Sequence, residues 1–109
     1  MYKVLVLCDA GVSSNKFLDL MKYEIEIQKL NCELKSGAIS DFYQLGKAMD
    51  MVLLGPQVRF NSKKIKEMLP SVEVEVISVN DFSTLNVVKI VGIIKERYSK
   101  KKESTLGGK

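Results

Sequence analysis

Histidine and tryptophan are absent from this 109-residue chain, and cysteine and proline occur only twice each. Without histidine the chain supplies no Ser–His or Cys–His nucleophile pair, no imidazole acid–base group and no histidine metal ligand. Two cysteines, Cys8 and Cys32, cannot build a secreted disulfide framework, and their spacing matches no metal-site pattern. Long apolar runs are also missing. The longest, residues 4–8 and 51–54, fall far short of the roughly 20 needed to cross a bilayer. Met1-Tyr2-Lys3 leads straight into a strand-like segment with no signal pattern. A cytoplasmic protein with no membrane insertion of its own is therefore expected.

Excess charge of one sign is scarce in the body of the chain. The formal net charge is +4, but Lys100, Lys101, Lys102 and Lys109 against Glu103 supply most of it. The remainder is close to neutral and has no basic stripe interleaved with aromatics, so nucleic acid is not an expected partner. At 46% hydrophobic and 28% charged residues, the composition is that of a folded domain rather than a disordered chain.

What is present alternates between strand-like and helix-like segments. Residues 3–8 are apolar and rich in β-branched side chains, and end at Asp9-Ala10-Gly11. Residues 13–30 read as a helix with Phe17, Leu20, Met21 and Ile25 on one face, capped by Ser13 or Ser14. Residues 32–36 alternate as a strand broken by Gly37, and a short helix follows from Ser40 to about Ala48. Residues 51–54 form a second apolar run closed by Gly55-Pro56. Pro56 suits the first turn of a third helix, whose buried face is Ile65, Met68 and Leu69, and Pro70 ends it. Residues 73–77 alternate again. A last helix is expected from about Asp81 to Tyr98 on Val87, Ile90, Val91, Ile94 and Tyr98. Residues 1–98 then make one domain, and residues 99–109 a polar disordered tail, for instance a linker.

A βαβαβαβα order implies an α/β fold, a parallel sheet with helices on both faces. The first and third strands are continuously apolar, as central strands are; the second and fourth carry alternating Glu and Lys, as edges do. Right-handed crossovers then give a four-stranded sheet of order 2-1-3-4, the flavodoxin-like arrangement. Ligands of such sheets bind beyond the carboxyl ends of the strands, where the winding direction reverses. Cys8 ends the first strand and falls at that point.

The segment Cys8-Asp9-Ala10-Gly11-Val12-Ser13-Ser14-Asn15 joins this strand to a helix. Small residues there let backbone N–H groups turn inward around an anion, and the helix N-terminus adds donors and positive potential. Gly11 permits the turn; Ser13, Ser14 and Asn15 add side-chain donors. The same field favours the thiolate of Cys8, the nucleophilic form. The plainer alternative is a small buried thiol that merely ends a strand.

Cys8 to Asn15, followed by Phe17-Leu18-Asp19-Leu20-Met21, resembles the phosphocysteine loop and first helix of enzyme IIB proteins of the lactose/cellobiose class. Val52-Leu53-Leu54-Gly55-Pro56-Gln57 resembles the second hallmark of that family, and the likeness extends over residues 1–98. The resemblance implies a phosphotransferase component. A phosphohistidine of enzyme IIA would donate a phosphoryl group to Cys8, which would pass it to a sugar bound in the membrane enzyme IIC. It also implies a phosphate-binding loop of Asp9, Ala10, Gly11, Val12, Ser13, Ser14 and Asn15, support from Gly55, Pro56 and Gln57, and no metal or cofactor.

Two other readings compete. Low-molecular-weight tyrosine phosphatases also end a first strand in cysteine, but their Cys-x5-Arg loop places an arginine where Ser14 stands here. No arginine precedes Arg59, so the phosphate clamp of a hydrolase is missing. A regulatory domain phosphorylated on Cys8 as a signal is the second. Arg59, Lys63, Lys64 and Lys66 read as a solvated face, with contact to a phosphorylated partner as the alternative. Cys32 reads as structural, and Tyr43 and Tyr98 as packing residues.

Overall fold

The computed structural model describes residues 1–8 and the backbone of residues 15–107, with side chains from residue 16 to 100. Its elements are β1 (Tyr2–Cys8), α1 (Asn15–Ile27), β2 (Cys32–Ala38), a 3-10 turn (Ile39–Asp41), α2 (Phe42–Gly46), β3 (Met51–Leu54), a 3-10 helix (Pro56–Asn61), α3 (Ser62–Met68), β4 (Glu73–Val76), α4 (Val79–Ser83) and α5 (Val87–Gly107). The four strands form one parallel sheet of order β2-β1-β3-β4. This is the expected topology, and its cause is visible in the burial. All four residues of β3 and six of the seven in β1 are buried, whereas edge strand β4 exposes Glu73 and Val76.

Alternation along β1 divides the core in two. Val4, Val6 and Cys8 point to one face, packed with Phe17, Met21 and Ile25 of α1 and Ile90, Val91 and Ile94 of α5. Leu5 and Leu7 point to the other, with Val52, Leu54, Val58, Ile65 and Leu69. Tyr98 closes the first layer at its far end, its ring centroid 5.3 Å from that of Tyr2.

Four details depart from the sequence reading. Gly37 does not break β2; it pairs with Leu7 and the strand runs on to Ala38. A β-carbon there would stand 2.3 Å from Leu45 Cδ1, so the glycine makes room for α2 instead of turning the chain. Pro56 opens six residues of 3-10 helix rather than an α-helix, with a kink at Val58 (φ −116°, ψ 20°) before α3. Met68 is exposed, while Ile65 and Leu69 carry the buried face of α3. Finally, the last helix is two helices.

The break between α4 and α5 has a local cause. Ser78 caps α4 by accepting a hydrogen bond from the Asp81 N–H at 3.0 Å, and Leu85 takes a positive φ of 54°. Asn86 Nδ2 donates to Asp81 Oδ1 at 3.3 Å, and the Asn86 N–H to the Asp81 carbonyl at 2.9 Å, folding the turn back. From Val87 the helix continues past Tyr98 to Gly107, so the backbone of residues 99–107 is helical.

Candidate functional site

β1 and β3 lie side by side, and their connections leave in opposite senses, which opens a crevice at their carboxyl ends. Cys8 is the last residue of β1, paired on one side with Ala38, and 5% exposed. On its other side β3 ends at Leu54, and the Gly55 N–H extends the ladder by donating to the Leu7 carbonyl at 2.9 Å. Gly55 thus flanks the sulfur-bearing residue. A β-carbon on Gly55 would stand 3.4 Å from Cys8 Sγ and 2.8 Å from Gln57 Oε1. The backbone of Gly55 (φ −62°, ψ 155°) is ordinary extended chain, so what limits a side chain here is the Gln57 carboxamide and not the backbone conformation.

Gly55 is therefore the position around which Cys8 Sγ and the Gln57 carboxamide both lie. Pro56 is buried and opens the 3-10 helix, and its carbonyl accepts a hydrogen bond from Arg59 Nη1 at 2.8 Å. Gln57 is exposed, with its carboxamide folded back over Gly55. Asp9, Ala10, Gly11, Val12, Ser13 and Ser14 lie outside the described residues, as do their expected roles as loop donors and helix cap. Of Asn15 only the backbone is described, as the first residue of α1.

Aromatic packing steadies the start of α1. The Phe17 ring, 1% exposed, lies with its centroid 5.0 Å from that of Phe82 on α4. The carboxylate that anchors α4, Asp81, is almost wholly buried. Burial pushes its pKa up, but hydrogen bonds to Ser78 and Asn86 and the Lys89 ammonium at 3.4 Å outweigh that, and the net shift is downward from 3.8. Sequence reasoning has Asp81 only as the start of the last helix and passes over Phe82. Ser78-x-x-Asp81 was the available signal, a capping pattern three residues ahead of where the helix was placed.

Cys32 belongs to a different environment. It is half-buried at the start of β2, opposite Tyr2, six rungs from the Cys8–Ala38 pair. Burial, then the Asp50 and Glu33 carboxylates, push its thiol up to about 11 from 9.0, which keeps it protonated and inert. The structural reading of Cys32 fits this. Tyr43, by contrast, is exposed, with Lys47 Nζ 5.8 Å from its ring centroid.

The fold and the crevice define a flavodoxin-like sheet with a thiol at its switch point. Solved structures share that architecture. The lactose-specific IIB component domain of the phosphoenolpyruvate:carbohydrate phosphotransferase system from Streptococcus pneumoniae aligns with a TM-score of 0.79 at 22% identity, covering 89% of this chain and 97% of that one. The cellobiose-specific phosphotransferase IIB component from Borrelia burgdorferi aligns with a TM-score of 0.74 at 25% identity, covering 92% and 94%. The family description "PTS system, Lactose/Cellobiose specific IIB subunit" matches residues 3–92. The chain belongs to this family, and so is a phosphotransferase component with a phosphoryl-carrier role in sugar uptake. Among the described residues no helix is long and apolar enough to cross a membrane.

Proposed function

We propose that Cys8 is the phosphoryl carrier, loaded from a phosphohistidine of enzyme IIA and unloaded onto a sugar held by the membrane enzyme IIC on the cytoplasmic side. The observation that carries this reading is the place of Cys8, at the carboxyl end of a central strand and in contact range of Gly55 across the switch point. In the first transfer the Cys8 thiolate attacks phosphorus, a P–S bond forms and the P–N bond breaks with its electron pair going to nitrogen. The leaving imidazole takes up the proton the thiol released, directly or through solvent, and departs neutral. In the second, a sugar hydroxyl attacks, a P–O bond forms and the P–S bond breaks. The hydroxyl proton goes to a base or solvent, and the thiolate is restored. Since the chain has no histidine, the donor imidazole belongs to the partner.

Such transfers need positioning and charge stabilisation more than new covalent chemistry from the protein. Backbone amides of Asp9 to Asn15, with the hydroxyls of Ser13 and Ser14, would hold the phosphoryl oxygens. The Gln57 carboxamide, folded over Gly55, supports the opposite side of the crevice. Mixing the protein with phosphorylated enzyme IIA and mapping the adduct by mass spectrometry tests this. Phosphate on Cys8, none on Cys8→Ser, and discharge on adding enzyme IIC membranes with sugar are expected. A Cys8→Ser variant that takes up phosphate as the parent does sinks the assignment.

A further inference from the structure

Phe60 is 80% exposed, more than any other large apolar side chain among the described residues. It is nonetheless held. The Arg59 guanidinium lies 4.5 Å from its ring centroid, and Arg59 Nη1 is tied back to the Pro56 carbonyl at 2.8 Å. A cation stacked on a ring and hydrogen-bonded to the backbone presents both groups already ordered, which removes part of the entropic cost of binding. Lys64 continues the pattern one turn on, its Nζ 5.8 Å from the ring centroid of Phe42.

This patch is electrostatically unfinished. Arg59, Lys63, Lys64 and Lys66 are exposed, and no carboxylate among the described residues makes an ion pair with them. Its place is also specific. The 3-10 helix carrying Arg59 and Phe60 starts at Pro56, next to Gly55, where an added β-carbon would meet Cys8 Sγ. At about 2 Å of rise per residue, Phe60 stands on the order of 10 Å from that glycine. A protein that hands a group to Cys8 has to approach the carboxyl ends of β1 and β3, and this helix leaves from the second of them.

We propose that the Arg59–Phe60 pair is the docking anchor for the phosphoryl donor, an acidic-rimmed apolar socket on the phosphohistidine-bearing protein. Phe60 enters the socket, and Arg59, Lys63 and Lys64 face its carboxylates. Aromatic and arginine side chains are the groups that dominate protein interfaces, and complementary charge raises the rate of encounter. The proposal rests on the reading of Cys8 as carrier for the identity of the partner, but its test does not depend on transfer.

Binding of enzyme IIA to the parent, Phe60→Ala and Arg59→Glu is measured by calorimetry at two salt concentrations. Thermal melts check that each variant is folded. Affinity should fall at least tenfold in Phe60→Ala at either salt, and in Arg59→Glu chiefly at low salt. Unchanged affinity in both variants, or no binding by the parent, overturns the proposal. So does sedimentation with phosphatidylserine vesicles that requires Phe60 while donor binding does not, or Phe60-dependent self-association. Phosphate on Cys8 is read by mass in the same samples. A donor that binds through Phe60 yet leaves Cys8 unmodified sinks the carrier reading alone.

Discussion

Cys8 Sγ lies 3.4 Å from the point where a β-carbon on Gly55 would stand, so the thiol and this glycine share one space. Gly55→Ala pushes first against Gln57 Oε1, the end of a flexible exposed side chain that can swing away. The stability cost is then about 1 kcal/mol, the low end for overpacking. Transfer suffers more, because the methyl group sits against the sulfur at van der Waals distance and displaces the carboxamide. A drop of roughly tenfold or more in the rate of Cys8 phosphorylation is expected, read by quench-flow with mass detection. A rate equal to the parent's contradicts a role for this contact.

Phe82→Ala should act from a distance. It removes the half-buried ring that packs against Phe17, at a cost of about 2–3 kcal/mol in a denaturant melt. Hydrogen exchange should quicken in the first turns of α1 and leave β1 and β3 protected. Uniform loss of protection would mean that α4 supports the whole domain and not the entry of α1.

Acid stability should carry the mark of Asp81. Its carboxyl is held below 3.8 in the folded protein, so its stabilising contribution is complete above that pH. The contribution is lost as pH falls through the lowered folded value, where Ser78, Asn86 and Lys89 lose their charged partner. Asp81→Asn is expected to flatten the stability profile below pH 3.8 while lowering stability at pH 7. An unaltered acid slope would show that other carboxylates set it.

At the alkaline end the sign reverses. Burial, then Asp50 and Glu73, push the Tyr2 hydroxyl up to about 12 from 10.0, and Cys32 opposite it is raised to about 11 from 9.0. In the unfolded chain both groups ionise earlier than in the folded one. Stability is therefore complete below pH 9 and declines as pH rises through 9 to 12. Cys32→Ala should shallow the decline and leave Cys8 phosphorylation unchanged. Iodoacetamide at pH 8 should spare Cys32, as peptide mapping would record.

Much of this architecture could be read from residue pattern alone, and the reason is physical. Apolar β1 and β3 against charged β2 and β4 leave one way to order four strands with right-handed crossovers. Cys8 and Gly55 followed, because the switch point lies between the ends of those central strands. Contacts across sequence were not legible. Leu45 filling the space over Gly37, Phe82 reaching Phe17, and Arg59 turning back to Pro56 depend on where helices settle, which no periodicity encodes. Leu85 hid the boundary between α4 and α5 because a leucine at positive φ carries none of the turn signature of glycine or asparagine.

The margins of the sheet bear on how crowded this protein can become. Glu73 and Glu75 of β4 meet Arg97 of α5, Glu75 through a short side-chain pair and Glu73 at 3.9 Å, and on β2 Lys35 pairs with Glu33 at 3.8 Å. Another chain pairing along either border would have to strip water from these charges and break their pairings. Sideways growth into ribbons is thereby discouraged on both flanks. A phosphoryl carrier guarded in this way can be present at high copy number with little tendency to pair along these borders.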